Sequence, residues 1–313
     1  MAERPIVVLG GAGFVGRHVV LRLVARGHEV LVPTRRRDTA RQLFVLPTVN
    51  VVAADVNVPA DLDRLVQGAS AVVNLVGILN ETGGQTFQRA HVDLARRVVA
   101  ACEDAGVRRL VHMSALNADP AGPSRYLRSK GEAEAAVAAS GLAWTIVRPS
   151  VIFGPEDAFL NLFAGLLRFA PVMALAGADA KFQPVYVGDV AECIVRAFGL
   201  PATIGRTFPL CGPTVYTLRE LVRYVGAVTG RPRPIIALGP FLGRLEATML
   251  EHLPGTMMSR DNLASMQEDS ICGCEFPPEF AIVPQALESI APTYLGAGSA
   301  ESRYDGFRRR GGR

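Results

Sequence analysis

Lysine is nearly missing from this chain. Of its 33 basic residues, all but Lys130 and Lys181 are arginine, so any role open to either cation falls to arginine, and the two exceptions need a reason of their own. Cysteine is scarce too. Cys102, Cys193, Cys211, Cys272 and Cys274 are too few and too irregularly spaced for a disulfide framework, and Cys272-Gly273-Cys274 has no second pair at zinc-ligand spacing. They read as reduced thiols of a cytoplasmic protein, and no metal site is expected. The folded body also lacks excess charge. Of the formal +4, the last 13 residues, "ESRYDGFRRRGGR", supply +3 through five arginines set against Glu301 and Asp305. A body near +1 excludes a nucleic-acid-binding face. The Gly- and Arg-rich tail has the composition of a disordered segment, open to an anionic partner, a respiratory complex or a membrane surface.

No secretory signal is visible, because the apolar run in "MAERPIVVLGGAGFVG" is broken by glycines and no small-residue cleavage site follows. The stretch "AFLNLFAGLLRFAPVMALAGA" (158–178) looks membrane-like but contains Asn161, Arg168 and Pro171. A mid-span arginine costs about 2.5–3.5 kcal/mol on insertion, so a spanning helix is rejected. A helix lining an apolar pocket, or packed in the core, fits better. The expected location is cytoplasmic, at most peripheral to the inner face of a membrane.

What is present is an ordinary globular composition, 49% hydrophobic and 20% charged. The first 150 residues alternate β-branched runs with helical patterns. Strands are expected at 5–10, 29–34, 49–55, 70–77, 108–114 and 143–149, with helices from Phe14 to Gly27, near 59–67, over 85–105 and over 124–139. This alternation predicts an α/β fold with a doubly wound parallel sheet. After Pro149 helical patterns at 157–169, 188–199, 217–229 and 240–252 are separated by short strands, "FQPVYV" and "TFPLCG". The expected organisation is a Rossmann domain over 1–150 with late elements from 182–212. A smaller, mostly helical substrate lobe is interleaved over 151–300, and the tail covers 301–313.

"GGAGFVG" (10–16) follows the first strand and opens the first helix. Gly10, Gly13 and Gly16 permit a tight turn and close approach of a pyrophosphate, whose charge rests on the helix N-terminus with Phe14 and Val15 in its first turn. An NAD site would carry an acid at the end of the second strand, where this chain has Arg35, Arg36 and Arg37. A guanidinium fork suits a 2′-phosphate, which favours NADP(H) over NAD(H). Asp55, after the third strand, stands where an adenine amino group would be met. Asn74 to Gly77, including Val76, end the fourth strand beside the nicotinamide ribose.

Tyr126 and Lys130, at i and i+4 on an expected helix, project from one face. A cation beside a phenol lowers its pKa from about 10 towards working range. Ser114, ending the fifth strand, is placed to hydrogen-bond a carbonyl. Proton donor, electrostatic tuner and oxyanion partner together suggest hydride transfer to or from a carbonyl. Lys130 is therefore lysine because arginine is bulkier and stays protonated.

These motifs, with "VRPSVIFGPED", resemble the short-chain dehydrogenase/reductase superfamily in its extended, atypical, epimerase/dehydratase-like branch. Within it, "SRYLRSKGEAE", "PEDAFLNLFAGLLRFAPV" and "KFQPVYVGDVAECI" resemble the NAD(P)H-binding accessory subunits of respiratory complex I and their bacterial relatives. The resemblance implies a Rossmann fold and catalytic Ser114, Tyr126 and Lys130. It also implies Arg35 on the 2′-phosphate, Asp55 and Val56 on the adenine, and Pro149 to Ile152 on the nicotinamide. One departure is His91, in "AHVDLARRV", where extended members carry asparagine; it reads as a structural substitute. Three functions compete. An NADP-dependent oxidoreductase of an apolar carbonyl, alcohol or quinone-like substrate leads. A non-catalytic NADPH-binding accessory protein of a complex I-like assembly is second. An NAD-dependent sugar-nucleotide epimerase or dehydratase is third, and the arginine loop speaks against it.

Overall fold

The computed structural model describes residues 4–239 and 259–296. The helical pattern at 240–252 and the basic tail lie outside the described residues.

From the N-terminus run β1 (Ile6–Leu9), α1 (Phe14–Ala25), β2 (Val30–Thr34), β3 (Val49–Ala53), α2 (Pro59–Val66) and β4 (Ala71–Asn74). A π-helical stretch, Gln88–Asp93, leads into α3 (Leu94–Asp104), followed by β5 (Arg109–Met113), α4 (Arg125–Ala138) and β6 (Ala143–Pro149). Next come β7 (Ile152–Phe153), α5 (Ala158–Phe169), β8 (Met173–Ala176), β9 (Lys181–Phe182), β10 (Val185–Tyr186) and α6 (Val187–Arg196). The described chain closes with β11 (Arg206–Leu210), β12 (Tyr216–Thr217), α7 (Leu218–Val228), β13 (Ile235–Leu238), α8 (Arg260–Ser265) and α9 (Leu287–Leu295).

The chain divides into two compact units, the first formed by 1–149, 188–210 and 277–282. Its seven strands are parallel in the order β11-β6-β5-β4-β1-β2-β3, a doubly wound Rossmann arrangement. β1 and β4 are buried at every residue, as expected for central parallel strands covered on both faces. Val7, Leu9, Val72, Leu110 and Ile146 of the sheet meet Leu62, Leu94, Val98 and Val137 of the helices in one core. Each such side chain contributes about 1.5–3 kcal/mol on full burial. Local signals agree with this packing. Pro59 opens α2 at a position needing no N–H, and Ser124 caps α4 by accepting from Leu127 N at 3.1 Å.

The second unit comprises 150–187, 211–276 and 283–313. Phe153, Leu160, Phe163, Leu167, Met173, Leu175, Leu218, Leu221 and Leu287 build its core. The apolar stretch 158–178 is a helix followed by a strand; Leu160, Phe163 and Leu167 face inward, while Phe169 is 80% exposed. No helix among the described residues is long and apolar enough to cross a membrane.

The cysteines are not all reduced thiols. Cys211 and Cys272 form a disulfide closing 61 residues, and Cys102, Cys193 and Cys274 are free. Gln183 brings the two together, donating from Nε2 to Gly212 O at 2.7 Å and accepting at Oε1 from Cys272 N at 2.9 Å. Ser270, bonded to Lys181 O at 2.8 Å, holds the second strand of chain in register. Irregular spacing concealed a pair that tertiary contacts align.

Candidate nucleotide-binding and catalytic site

The glycine loop is shaped by close approach. Gly10 takes φ +80°, and a Cβ on Gly16 would lie 2.2 Å from Gly10 O and 2.6 Å from Gly11 Cα. Only glycine lets α1 start this near β1. Gly13 is the N-cap and offers no side-chain cap, and the first turn, with Phe14 and Val15, holds no acid. An uncapped helix start without negative charge fits a pyrophosphate.

No acid stands at the close of β2. Gln85, with its amide oxygen facing the guanidinium, accepts from Arg35 Nη1 at 2.7 Å and Nη2 at 3.3 Å. Arg36 pairs with Asp38 at 3.1 Å, both well exposed, and Arg37 lies 5.3 Å above the Phe44 ring. Arg36 and Arg37 are thus engaged within their own loop, while Arg35 is held from outside it by Gln85. Asp55 Oδ1 accepts from Asn57 N at 3.0 Å and Asn57 Nδ2 at 2.9 Å. Burial acts to raise its pKa, but those bonds, with Arg35 and Arg97 nearby, outweigh it and hold the carboxyl below its ordinary value. Val56 and Val76 pack against the sheet core.

Lys130 is 4% exposed, and its Nζ donates to Met113 O at 3.1 Å. That carbonyl belongs to the peptide preceding Ser114, so the ammonium stands beside the serine strand end. Ser114 Oγ is buried with no hydrogen-bond partner among the described residues. Such a hydroxyl, left unpaired inside a protein, costs free energy unless something else accepts from it. Gly77 also belongs here: a Cβ on it would lie 3.4 Å from Lys130 Nζ and 3.5 Å from His91 Nε2. Burial lowers the Lys130 pKa to about 8, against an opposing pull from Glu134. Glu134, one turn on, accepts from Arg148 Nε at 2.8 Å and ties α4 to β6.

Tyr126 departs from the sequence reading. Its ring packs edge-on to Phe87 at 5.8 Å and to His91 at 5.6 Å, and burial raises the phenol to about 12. Lys130 is committed to the Met113 carbonyl, and burial alone sets the direction of the phenol's shift. His91 is inert as an acid. Its Nε2 accepts from Ile78 N–H at 3.1 Å, which leaves the proton on Nδ1 to donate to Ser129 Oγ at 2.8 Å. Ser129 Oγ in turn donates to Tyr126 O at 2.8 Å. Burial, then Lys130 and His112, push the imidazole down to about 2, so it stays neutral.

One residue went unnoticed in the sequence. His112 on β5 faces its register partner Asn74 on β4, with Asn74 Nδ2 3.2 Å from His112 Nδ1, and His112 Nε2 is buried without a partner among the described residues. Polar residues at the carboxyl ends of adjacent parallel strands were the available signal. Pro149 ends β6, its carbonyl accepting from Leu116 N at 2.9 Å, and Ile152 opens β7.

Comparison with known proteins bears on the family and the fold. A protein family described as NAD(P)H-binding matches residues 10–158. The mouse (Mus musculus) protein named NADH dehydrogenase [ubiquinone] 1 alpha subcomplex subunit 9, mitochondrial, is 37% identical over 230 residues, covering 72% of this chain but 61% of its own. The chain thus spans less than two thirds of that relative's length. A ceramide reductase of Caulobacter vibrioides is 32% identical over 236 residues, covering 75% of this chain and 74% of its own. Among solved structures, an NADPH-dependent quinone oxidoreductase of Escherichia coli complexed with NADPH superposes with a TM-score of 0.73 at 20% identity, covering 91% of this chain and 98% of that one.

Proposed function

Because the chain belongs to the NAD(P)H-binding family, we propose that it is an NADPH-dependent reductase of an apolar carbonyl or quinone-like substrate. The observation that carries the reading is the buried, unpartnered Ser114 hydroxyl beside the buried Lys130 ammonium. When bound, NADPH supplies the hydride. The first-turn amides of α1 hold the pyrophosphate, and Arg35, where an NAD enzyme has an acid, holds the 2′-phosphate. Val76, Gly77, Pro149 and Ile152 border the nicotinamide, and Asp55 and Val56 the adenine.

Ser114 Oγ donates to the substrate oxygen. Tyr126, its phenol protonated throughout the neutral range, gives its proton to that oxygen as charge develops there. Lys130, cationic below about pH 8, stabilises the phenolate left behind, which solvent reprotonates. The resting phenol is protonated, which is the form that reduction of a carbonyl requires at the start of a turnover. The relative named a ceramide reductase supports the substrate class.

The test follows NADPH oxidation by a panel of apolar ketones and quinones. Tyr126→Phe and Ser114→Ala should each lower turnover at least 100-fold, within the usual worth of general acid and oxyanion groups, while binding NADPH normally. Undiminished turnover in both variants refutes the catalytic reading. The mouse relative favours a second role, NADPH held as a fixture of a complex I-like assembly. Exchange of bound NADPH for labelled NADPH separates the two: replacement in seconds fits a cosubstrate, replacement over hours a fixture.

A further inference from the structure

The outward end of the apolar stretch 158–178 is unused by any role assigned above. α5 ends in Arg168-Phe169, with the guanidinium 5.5 Å above the phenyl ring. Phe169 is 80% exposed, Val172 42% and Ile236 56%. These residues are contiguous. Arg233 Nε donates to Leu167 O at 3.4 Å, Met173 N to Pro234 O at 2.9 Å, and Ile236 pairs in register with Ala174 across the β8–β13 ribbon. Met173 and Leu175 turn into the core of the second unit, so the outer face of the ribbon carries Ala174 and Ile236.

The charge on this face has one sign. Arg168, Arg231 and Arg233 are exposed, and neither 158–178 nor 229–239 contains an acid. The described ion pairs of this unit, Lys181–Asp269 and Arg219–Asp179, involve none of the three. Nor do 166–176 and 231–238 contain any Ser, Thr, Asn or Gln. Among the described residues the surface therefore offers cations and hydrocarbon and no neutral side-chain hydrogen-bonding groups. A protein partner is recognised through directional polar contacts around its apolar anchors. Guanidinium groups around a protruding phenyl ring instead match the charged, apolar gradient of a lipid interface.

We propose that the face formed by the C-terminus of α5 and the β8–β13 ribbon docks onto an anionic membrane surface, with Phe169 and Ile236 entering the headgroup layer. No membrane crossing is involved. The proposal stands independently of the reductase reading.

The test is cosedimentation of the full chain with sucrose-loaded vesicles of phosphatidylcholine, with and without phosphatidylglycerol. Wild type should bind only the anionic vesicles, less so as salt rises. Each of Arg168→Gln, Arg231→Gln and Arg233→Gln should weaken partitioning about five-fold, and Phe169→Ser with Ile236→Ser more than ten-fold. All five positions are exposed, and unchanged NADPH binding verifies the fold of each variant. A tail variant with Arg308, Arg309 and Arg310 changed to Gln serves as the control. If it loses binding while the face variants keep it, the tail is the anchor and the proposal fails. Equal binding to neutral vesicles, or none to either kind, also overturns it, the latter referring the face to a protein partner.

Discussion

Gly16→Ala is a severe test of the nucleotide site because the added atom has nowhere to go. Its Cβ would stand 2.2 Å from Gly10 O and 2.7 Å from Gly11 C. Both are backbone atoms, and Gly10 O already accepts from Gly13 N at 2.9 Å. Relief requires α1 to move outward by about 1 Å, and such overpacking costs about 1–3 kcal/mol of stability. The same displacement carries the first-turn amides away from the pyrophosphate. Losing two charge-assisted hydrogen bonds at about 1.5 kcal/mol each removes about 3 kcal/mol of binding, a factor of about 100 in Kd. Titration of NADPH fluorescence on wild type and variant measures this directly, with thermal melting of the apoprotein as the companion. A variant that melts lower but binds within three-fold of wild type would refute the reasoning, since the clash would then have been absorbed away from the loop.

Cys272→Ser opens a loop of 61 residues and should cost about 4 kcal/mol by the chain-entropy estimate; denaturant unfolding with and without reductant checks it, and wild type treated with reductant should match the variant. Lys130, its pKa lowered to about 8 by burial, binds fewer protons folded than unfolded between pH 8 and its ordinary value. Stability relative to Lys130→Met should therefore rise through that window, while turnover falls above about pH 8 as the ammonium discharges, both visible in pH series. Arg35→Ala should raise the Kd for NADPH at least ten-fold and leave that for NADH nearly unchanged, because only the former carries a 2′-phosphate; equal losses would assign the arginine a purely structural role with Gln85.

The parallel sheet was legible because strand and helix periods alternate cleanly, and β6 and α4 fall where those periods place them. The glycine loop was legible for the same reason: its chemistry is local in sequence. Less local features were hidden. The Tyr126–Lys130 spacing correctly put both on one helix, but spacing carries no information on Met113 O, which holds the lysine, or on the Phe87 and His91 rings that desolvate the phenol. Burial then reversed the expected direction of the tyrosine's shift. His91 was noticed as a departure, yet its bonds to Ile78 and Ser129 come from different elements. The Cys211–Cys272 bond depends on a glutamine, Gln183, that nothing nearby in the chain marks.

The π-helical stretch at Gln88–Asp93 has a consequence for length variation. A π turn holds one residue more than the α-helix it interrupts, and each residue advances an α-helix by 100°. Deleting Arg89 or Ala90 would let the turn close into regular helix, keeping α3 and its core contacts whole. Because the residue removed is the one the π turn holds in excess, the chain ahead of it stays in register, and Phe87 keeps its place against the His91 and Tyr126 rings. A difference of one residue between Phe87 and Leu94 should therefore be tolerated by fold and site alike, whereas the same loss within α3 would turn Phe87 away by about 100°.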